Sequence, residues 1–331
     1  MRAAVWLVCL ACLVACGAPG QQTPAPPPPA ASPSPAIAVS PLSSASFPVS
    51  RAAFAALIDN NVEARPQSGL DGADLVYEAP AEGGIPRLMA VFLRDTDIAR
   101  IGPVRSARQY FVSLAAEYRV ALVHIGASPQ GFQALDETGL ERLDEARGDG
   151  GFSRDPARQA PHDAYVSTGS VRSELERRGA RISAVPAGLS FGGFRPGPQP
   201  ATQLGIRYAA GGFSAQYDYD PGTRTYQRSQ DGQPHVDAPS GRRYAPHSVI
   251  VQQVSVTPIP NDDAGRVDLG LVGSGRGFLV AEGTQVPLQW SKSSTTEPNR
   301  YTRDDGVPFS LPDGQVWIEL VPLDAQVQTS A

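Results

Sequence analysis

Arg87-Leu88-Met89-Ala90-Val91-Phe92-Leu93 is six apolar residues behind one arginine, and it decides the fold class. A run this short, bounded by Gly83-Gly84 before it and Arg94-Asp95 after it, reads as a strand. Two similar runs precede it. Phe54-Ala-Ala-Leu-Ile58 ends at Asp59-Asn60-Asn61, and Leu75-Val-Tyr-Glu78 leads into the diglycine connection. Downstream, Val120 to Ile125 reads as a further strand. Helices are expected over about Ala107 to Tyr118 with Ser106 as cap, near Pro129 to Leu135, and at Val171 to Arg178 closed by Gly179. Strand and helix signals thus alternate to about residue 190, which predicts a mixed α/β (α+β) layered sandwich over residues 48–192.

The texture changes at Phe194-Arg-Pro-Gly-Pro198. Beyond it, short alternating segments dominate: Ser248 to Val256, Arg266 to Val272, Gly277 to Glu282, Val286 to Lys292 and Gln315 to Val321. Turn residues separate them. This pattern predicts a β-rich antiparallel C-terminal domain over 205–322. Gly273-Ser-Gly-Arg-Gly277 lies between strand signals with no helix after it, so a hairpin turn is expected there rather than a phosphate cradle.

Before residue 48 the chain has another character. Met1-Arg2 is followed by Ala3 to Leu13, an uncharged apolar run. Spanning a bilayer takes about 20 residues, so the run reads as the core of a signal peptide over 1–15. It ends in Leu13-Val14-Ala15-Cys16, the pattern of a bacterial lipobox, so Cys16 is the expected lipidation site. Residues 16–47 read as a proline-rich disordered tether. Residues 17–50 carry no charge, and nine prolines fall between Pro19 and Pro41. Gly17 rather than Asp follows the cysteine. The expected address is extracytoplasmic and lipid-anchored: the outer face of the cytoplasmic membrane, or the outer membrane where a cell has two.

Composition closes several classes. All three cysteines fall at or before Cys16, so disulfides, cysteine metal sites and cysteine nucleophiles are excluded from the remainder. The net charge of −5 becomes −6 when Arg2 leaves with the leader, which argues against nucleic acid as a partner. Lys292 is the sole lysine, so lysine chemistry is possible there alone. GxGxxG, Walker and HExxH patterns are absent, and no cofactor is expected.

Three polar constellations remain. Arg65, Asp74, Glu78, Glu82 and Arg87 surround the first hairpin. Glu78 or Glu82 could serve acid–base chemistry, and Arg–carboxylate bridging that fixes loops competes with that. Ile101-Gly-Pro-Val-Arg-Ser-Ala-Arg108 would set Arg105, Ser106 and Arg108 at a helix start, where an anion fits. Arginines there oppose the helix dipole and call for a compensating carboxylate or a ligand. The third group is histidine. His124 ends a strand near Ser128, and His162 stands beside Asp163, a further acid–base candidate. A metal site would need both to converge with a carboxylate, and none is assigned. His235 and His247 sit in turn-like surroundings and read as surface residues.

Several strings together resemble a known family. They are Ile58-Asp-Asn60, Ala64-Arg-Pro-Gln-Ser-Gly-Leu70, Ala73-Asp74-Leu-Val-Tyr-Glu78, Glu82-Gly-Gly84, Arg87 to Phe92 and Ile101 to Arg108. Ala160-Pro-His162, Trp290-Ser-Lys292, Arg300-Tyr-Thr and Gly314-Gln-Val-Trp317 continue the likeness. The chain is similar in these to the YerB-like lipoprotein family over nearly all of residues 50–322. The resemblance implies two successive domains of unknown function and a mixed α/β architecture with a β-rich C-terminal part. It brings no catalytic residue with it. The residues favour a lipid-anchored envelope protein, held to the membrane by its anchor, that binds an anionic cell-wall polymer or an envelope protein through the arginine cluster. The alternative is a cell-wall glycan or peptide hydrolase using Glu78, Glu82 or His162.

Overall fold

A computed structural model describes residues 52–185, 188–208 and 212–331. The expected signal peptide, Cys16 and the tether lie outside the described residues. In the N-terminal half, β1 (Phe54–Ile58), β2 (Leu75–Ala79) and β3 (Arg87–Phe92) precede helix α1 (Gln109–Tyr118). Then come β4 (Ala121–His124), α2 (Pro129–Thr138), β5 (Arg142–Asp144), β6 (Phe152–Arg154), β7 (Ala164–Val166) and α3 (Thr168–Arg177).

Strands fill the C-terminal half. β8 (Gln199–Pro200), β9 (Gln203–Arg207), β10 (Ser214–Asp220), β11 (Thr225–Gln230) and β12 (Gln233–Pro234) come first. β13 (Ser248–Val254), β14 (Val256–Pro258), β15 (Val267–Leu269) and β16 (Gly273–Ala281) follow. The series closes with β17 (Thr284–Lys292), β18 (Arg300–Arg303), β19 (Val316–Pro322) and β20 (Gln326–Ser330).

One mixed sheet runs through both halves in the order β18-β17-β16-β13-β19-β2-β3-β1-β4-β5, with β8 added on β17. The halves meet where β19 lies parallel to β2, Glu319 opposite Glu78. A second, antiparallel sheet has the order β12-β11-β10-β9-β20. The expected architecture is thus present: a mixed α/β part followed by a β-rich part whose pairings are antiparallel apart from β13 with β19.

Side chains alternate across the large sheet and give it two cores. One face carries Leu57, Leu75, Tyr77, Met89 and Val91 against Phe111, Leu114 and Tyr118 of α1 and Leu135 of α2. The other carries Phe54, Ile58, Val76, Leu88 and Phe92, packed with Val171 and Leu175 of α3 and with Leu204, Tyr217 and Tyr226 of the second sheet. The continuous apolar runs of β1 to β3 follow from burial on both faces.

Two local expectations need correction. Helix α1 starts at Gln109, not Ala107, and its N-cap is Arg108, with no side-chain cap. Residues 101–107 stay extended because they are tied elsewhere: Arg105 N–H donates to Leu57 O (2.8 Å) and Ala107 N–H to Gly126 O (2.9 Å). Gly273 to Gly277 is strand, not turn; the reversal between β16 and β17 falls at Glu282-Gly283. The glycines are there for space. A Cβ on Gly275 would meet the Trp290 indole at 2.6 Å, and one on Gly277 would meet Val251 O at 2.3 Å. The other two helices carry side-chain caps, Ser128 Oγ accepting from Gly131 N–H and Ser167 closing a capping box with Ser170.

Candidate functional site: an arginine-lined cavity

The extended segment 101–107 matters because it lays Arg105, Ser106 and Arg108 beside the diglycine turn that carries Glu82. Together with Arg87 they line a cavity of ≈ 350 Å³, completed by Asp59 to Asn61, Ile85 and Pro86, and from the other half by Ala264 and Arg266. Four arginines thus face one space with two carboxylates.

Each guanidinium is positioned. Arg108 donates from Nε to Glu82, from Nη1 to Ser106 Oγ (3.0 Å) and from Nη1 to Ala107 O (2.7 Å). Arg87 Nη1 donates to Ser106 O (2.9 Å), and its Nη2 stands 3.8 Å from Glu82 Oε2. Arg266 is held by Asp262 (2.8 Å) with Nε 3.8 Å from Glu82. Arg105 Nε stands 2.8 Å from Asp59 Oδ2, which also pairs with His162 Nδ1 at 2.7 Å. The Nε2 atom of His162 has no hydrogen-bond partner among the described residues.

The electrostatics lean positive. Burial opposes ionisation of Glu82, but the hydrogen bond and charge of Arg108, with Arg87 adding, hold it below the usual carboxylate range. Burial, then the Arg108 cation, press the Arg87 pKa down. Glu82 is therefore a spent anion shared by three cations, and Arg87 gains from any further negative charge placed in the cavity.

Among the residues singled out from the sequence, Glu82, Arg87, Arg105, Ser106 and Arg108 come together. Three do not. Asp74 is buried at the start of β2, accepting from Leu93 N–H (2.6 Å) and pairing with Arg94. Arg65 lies behind Asn60, donating to its carbonyl oxygen (3.0 Å) and to Asp231 (2.7 Å), with its guanidinium over the Phe213 ring. Glu78 is fully enclosed, and Arg228 donates to it.

That enclosed pairing belongs to a network the sequence did not reveal. Asn60 Nδ2 donates to Glu78 (3.0 Å), and Gln67 and Gln230 both donate to Asn60 Oδ1. Tyr208 and Tyr217 donate their hydroxyls to Glu319, beside Glu78. His235, expected at the surface, is instead 4% exposed, with Nε2 2.8 Å from Gln67 and Nδ1 2.6 Å from Arg228. Burial and the Arg228 charge push its pKa well down, so it stays neutral. His247 is half-buried.

The remaining candidates are structural. His124 is fully buried, with Nδ1 2.9 Å from Gly126 O, and Ser128 serves as the α2 cap. Lys292 is buried and paired with Glu117 at 2.7 Å. Among the described residues, no three His, Cys, Asp or Glu side chains are placed to hold one metal ion.

Comparison with known proteins adds a lineage. Residues 41–181 match the N-terminal domain, and residues 204–318 the C-terminal domain, of a protein of unknown function, DUF3048. The "Putative lipoprotein YerB" of Bacillus subtilis (strain 168) is 31% identical over 283 residues, 83% of each chain. The crystal structure of YerB protein from Bacillus subtilis superposes with a TM-score of 0.72, covering 84% of this chain and 94% of that one.

Proposed function

This chain belongs to the YerB-like family of proteins with DUF3048 N- and C-terminal domains, and from that premise we propose that it is a membrane-anchored lipoprotein binding a phosphate-bearing envelope polymer in its arginine cavity. The observation that carries this reading is the charge balance of the cavity. Arg87, Arg105, Arg108 and Arg266 line it against Glu82 and Asp59, and with Asp262 paired to Arg266 the cluster keeps an excess of one cation. Arginine presents flat, multiply donating guanidinium groups that match phosphate oxygens, and partial burial raises the value of each contact. Anchoring through Cys16, with the folded part on the extracytoplasmic side, would place the cavity where such polymers lie. The name of the Bacillus relative supports that address, and no helix among the described residues is long and apolar enough to cross a membrane.

Purified full-length chain, incubated with sacculi that carry their anionic polymer, should pellet with them. Sacculi stripped of the polymer should leave it in solution, as should the Arg105→Ala/Arg108→Ala variant on intact sacculi. Equal pelleting in all three cases would count against the cavity.

A second reading, hydrolysis of wall glycan or peptide, draws support from one feature only. Asp59 fixes His162 through Nδ1, leaving Nε2 free as a base would be. Glu78 is locked to Arg228 and Glu82 to Arg108, so neither is free for acid–base work. Soluble muropeptides appearing with the natural chain, and not with His162→Ala, would favour this reading over simple binding.

A further inference from the structure

The large sheet ends in β18 and β5, and the second sheet in β12 and β20. Three of these edges are guarded. β5 is three residues long and its backbone is already bonded, Arg178 Nη1 donating to Arg142 O (3.0 Å) and Asp144 N–H to Asp149 (2.8 Å). β18 carries arginine at both ends, Arg300 and Arg303. β12 is two residues, one of them Pro234, and β8, added on β17, is likewise short and ends in Pro200. Short length, charge and proline keep a sheet edge from recruiting another strand.

β20 has none of these devices. Gln326-Val327-Gln328-Thr329-Ser330 contains no charge, proline or glycine, and it pairs on one side only, with Gln328 opposite Gly205 of β9. Outside that ladder, no backbone group of residues 326–330 has a hydrogen-bond partner among the described residues. Side chains do not cover the edge either. Thr329 Oγ1 donates to Gln285 Oε1 (2.7 Å) and Ser330 Oγ to Gln203 Oε1 (3.1 Å), while Gln326 and Gln328 stand exposed. A row of unused N–H and C=O groups is spaced to receive one more strand.

We infer that β20 is a self-association edge, to which a second copy of this chain adds its own β20, antiparallel about a two-fold axis at Gln328. Faces and charge both select a second copy. Val327 packs toward the core and Gln326 and Gln328 face solvent, so a partner strand must match that alternation. The register centred on Gln328 does so with all five residues, setting Gln326 opposite Ser330, Val327 opposite Thr329 and Gln328 opposite itself. The edge is also electrically compatible with itself. Arg207, the one charged residue of β9, lies beside Gln326, so in this register the two copies of Arg207 stand at opposite ends of the seam. A charged partner strand would find no opposite charge along β20. Five residue pairs make a contact smaller than the about 800 Å² per partner of standard interfaces, so the dimer is weak when dilute and forms where copies are concentrated. Such a dimer carries two arginine cavities and could hold one repeating polymer at two points; that consequence rests on the binding reading above, whereas the pairing does not.

Sedimentation velocity of the purified full-length chain in reducing, low-salt buffer, from about 10 µM to about 1 mM, should show monomer passing into dimer. Amide hydrogen exchange over residues 326–330 should slow across the same range. Gln328→Lys and Gln328→Glu change an exposed side chain and set like charges opposite each other at the axis, so each should weaken the dimer about fivefold. An equimolar mixture of the two variants should restore it, lysine now facing glutamate. A chain that stays monomeric throughout would overturn the inference. So would association that continues past the dimer, or a dimer that neither variant weakens or that the mixture fails to restore.

Discussion

Glu319 stands opposite Glu78 across the parallel pairing of β19 with β2, and both side chains are wholly enclosed. A single cation, Arg228, lies between them and the aromatic groups around it, its guanidinium 4.7 Å from the Trp317 ring centroid. This contact joins the two halves of the chain at the centre of the large sheet. It also decides which carboxyl groups are available for chemistry, since Glu78 is held in the seam and cannot reach the arginine cavity.

A pH dependence follows from that seam. Burial raises the Glu78 pKa to about 8, with the Arg228 charge opposing and the Glu319 charge adding to the rise. The folded state thus keeps a proton that the unfolded chain releases near the ordinary value of 4.5. A raised folded pKa gives stability that is complete below 4.5 and is lost as pH climbs to about 8. The slope from this one proton is at most about 1.4 kcal/mol per pH unit. Glu78→Gln does not titrate, keeping one oxygen as acceptor for Asn60 or Arg228 and losing the other bond at every pH alike. Urea denaturation of both proteins from pH 5 to 9 should show the natural chain losing stability relative to Glu78→Gln as pH rises. Parallel curves would show that Glu78 holds no extra proton.

The buried ion pair of Lys292 with Glu117 should behave as a unit. Lys292 Nζ bonds Glu117 Oε1 at 2.7 Å, and Lys292 also donates to Glu297 O. Lys292→Met leaves Glu117 charged and enclosed, at a cost of about 3–5 kcal/mol. Adding Glu117→Leu to that variant should recover most of the loss, because apolar pairs replace buried ion pairs at little cost. Equilibrium unfolding of the two single variants and the double variant measures the coupling.

Much of the fold was legible because β1 to β3 are buried on both faces and announce themselves as unbroken apolar runs. The arginine cavity was half legible. Glu82, Arg87, Arg105, Ser106 and Arg108 lie within 27 positions of one another, and local strings brought them to notice. Arg266 joins from the other half of the chain, and nothing in its neighbours marks it. Arg228 is likewise 150 positions from its partner Glu78, so the pairing that removes Glu78 from the site is a tertiary fact alone. His235 misled for the same reason: its neighbours Gln233, Pro234 and Asp237 look like a turn, while Gln67 and Arg228 supply the contacts that bury it. Ser106 looked like a helix cap because serine favours caps, but the tie of Arg105 N–H to Leu57 O keeps the chain extended past it.

The strand at Gly273 to Gly277 makes a further prediction. In the strand, Gly277 passes against Val251 O with no room for a methyl group, the Cβ distance being 2.3 Å. Gly277→Ala should lower stability by about 1–3 kcal/mol through overpacking. Gly283→Asn should be milder, since the left-handed turn at φ 71° tolerates asparagine. Thermal unfolding of the two variants ranks them, and a tolerated Gly277→Ala would contradict the close approach of β16 to β13.

The central claim is that the cavity binds phosphate through its arginines, and calorimetric titration of a short glycerol-phosphate oligomer into the full-length chain tests it most directly. The account predicts one saturable site that weakens as salt rises and is lost in Arg105→Ala/Arg108→Ala, with the unfolding midpoint of that variant unchanged within a few degrees. Binding that survives the double substitution, or a natural chain that takes up no oligomer at low salt, would contradict it.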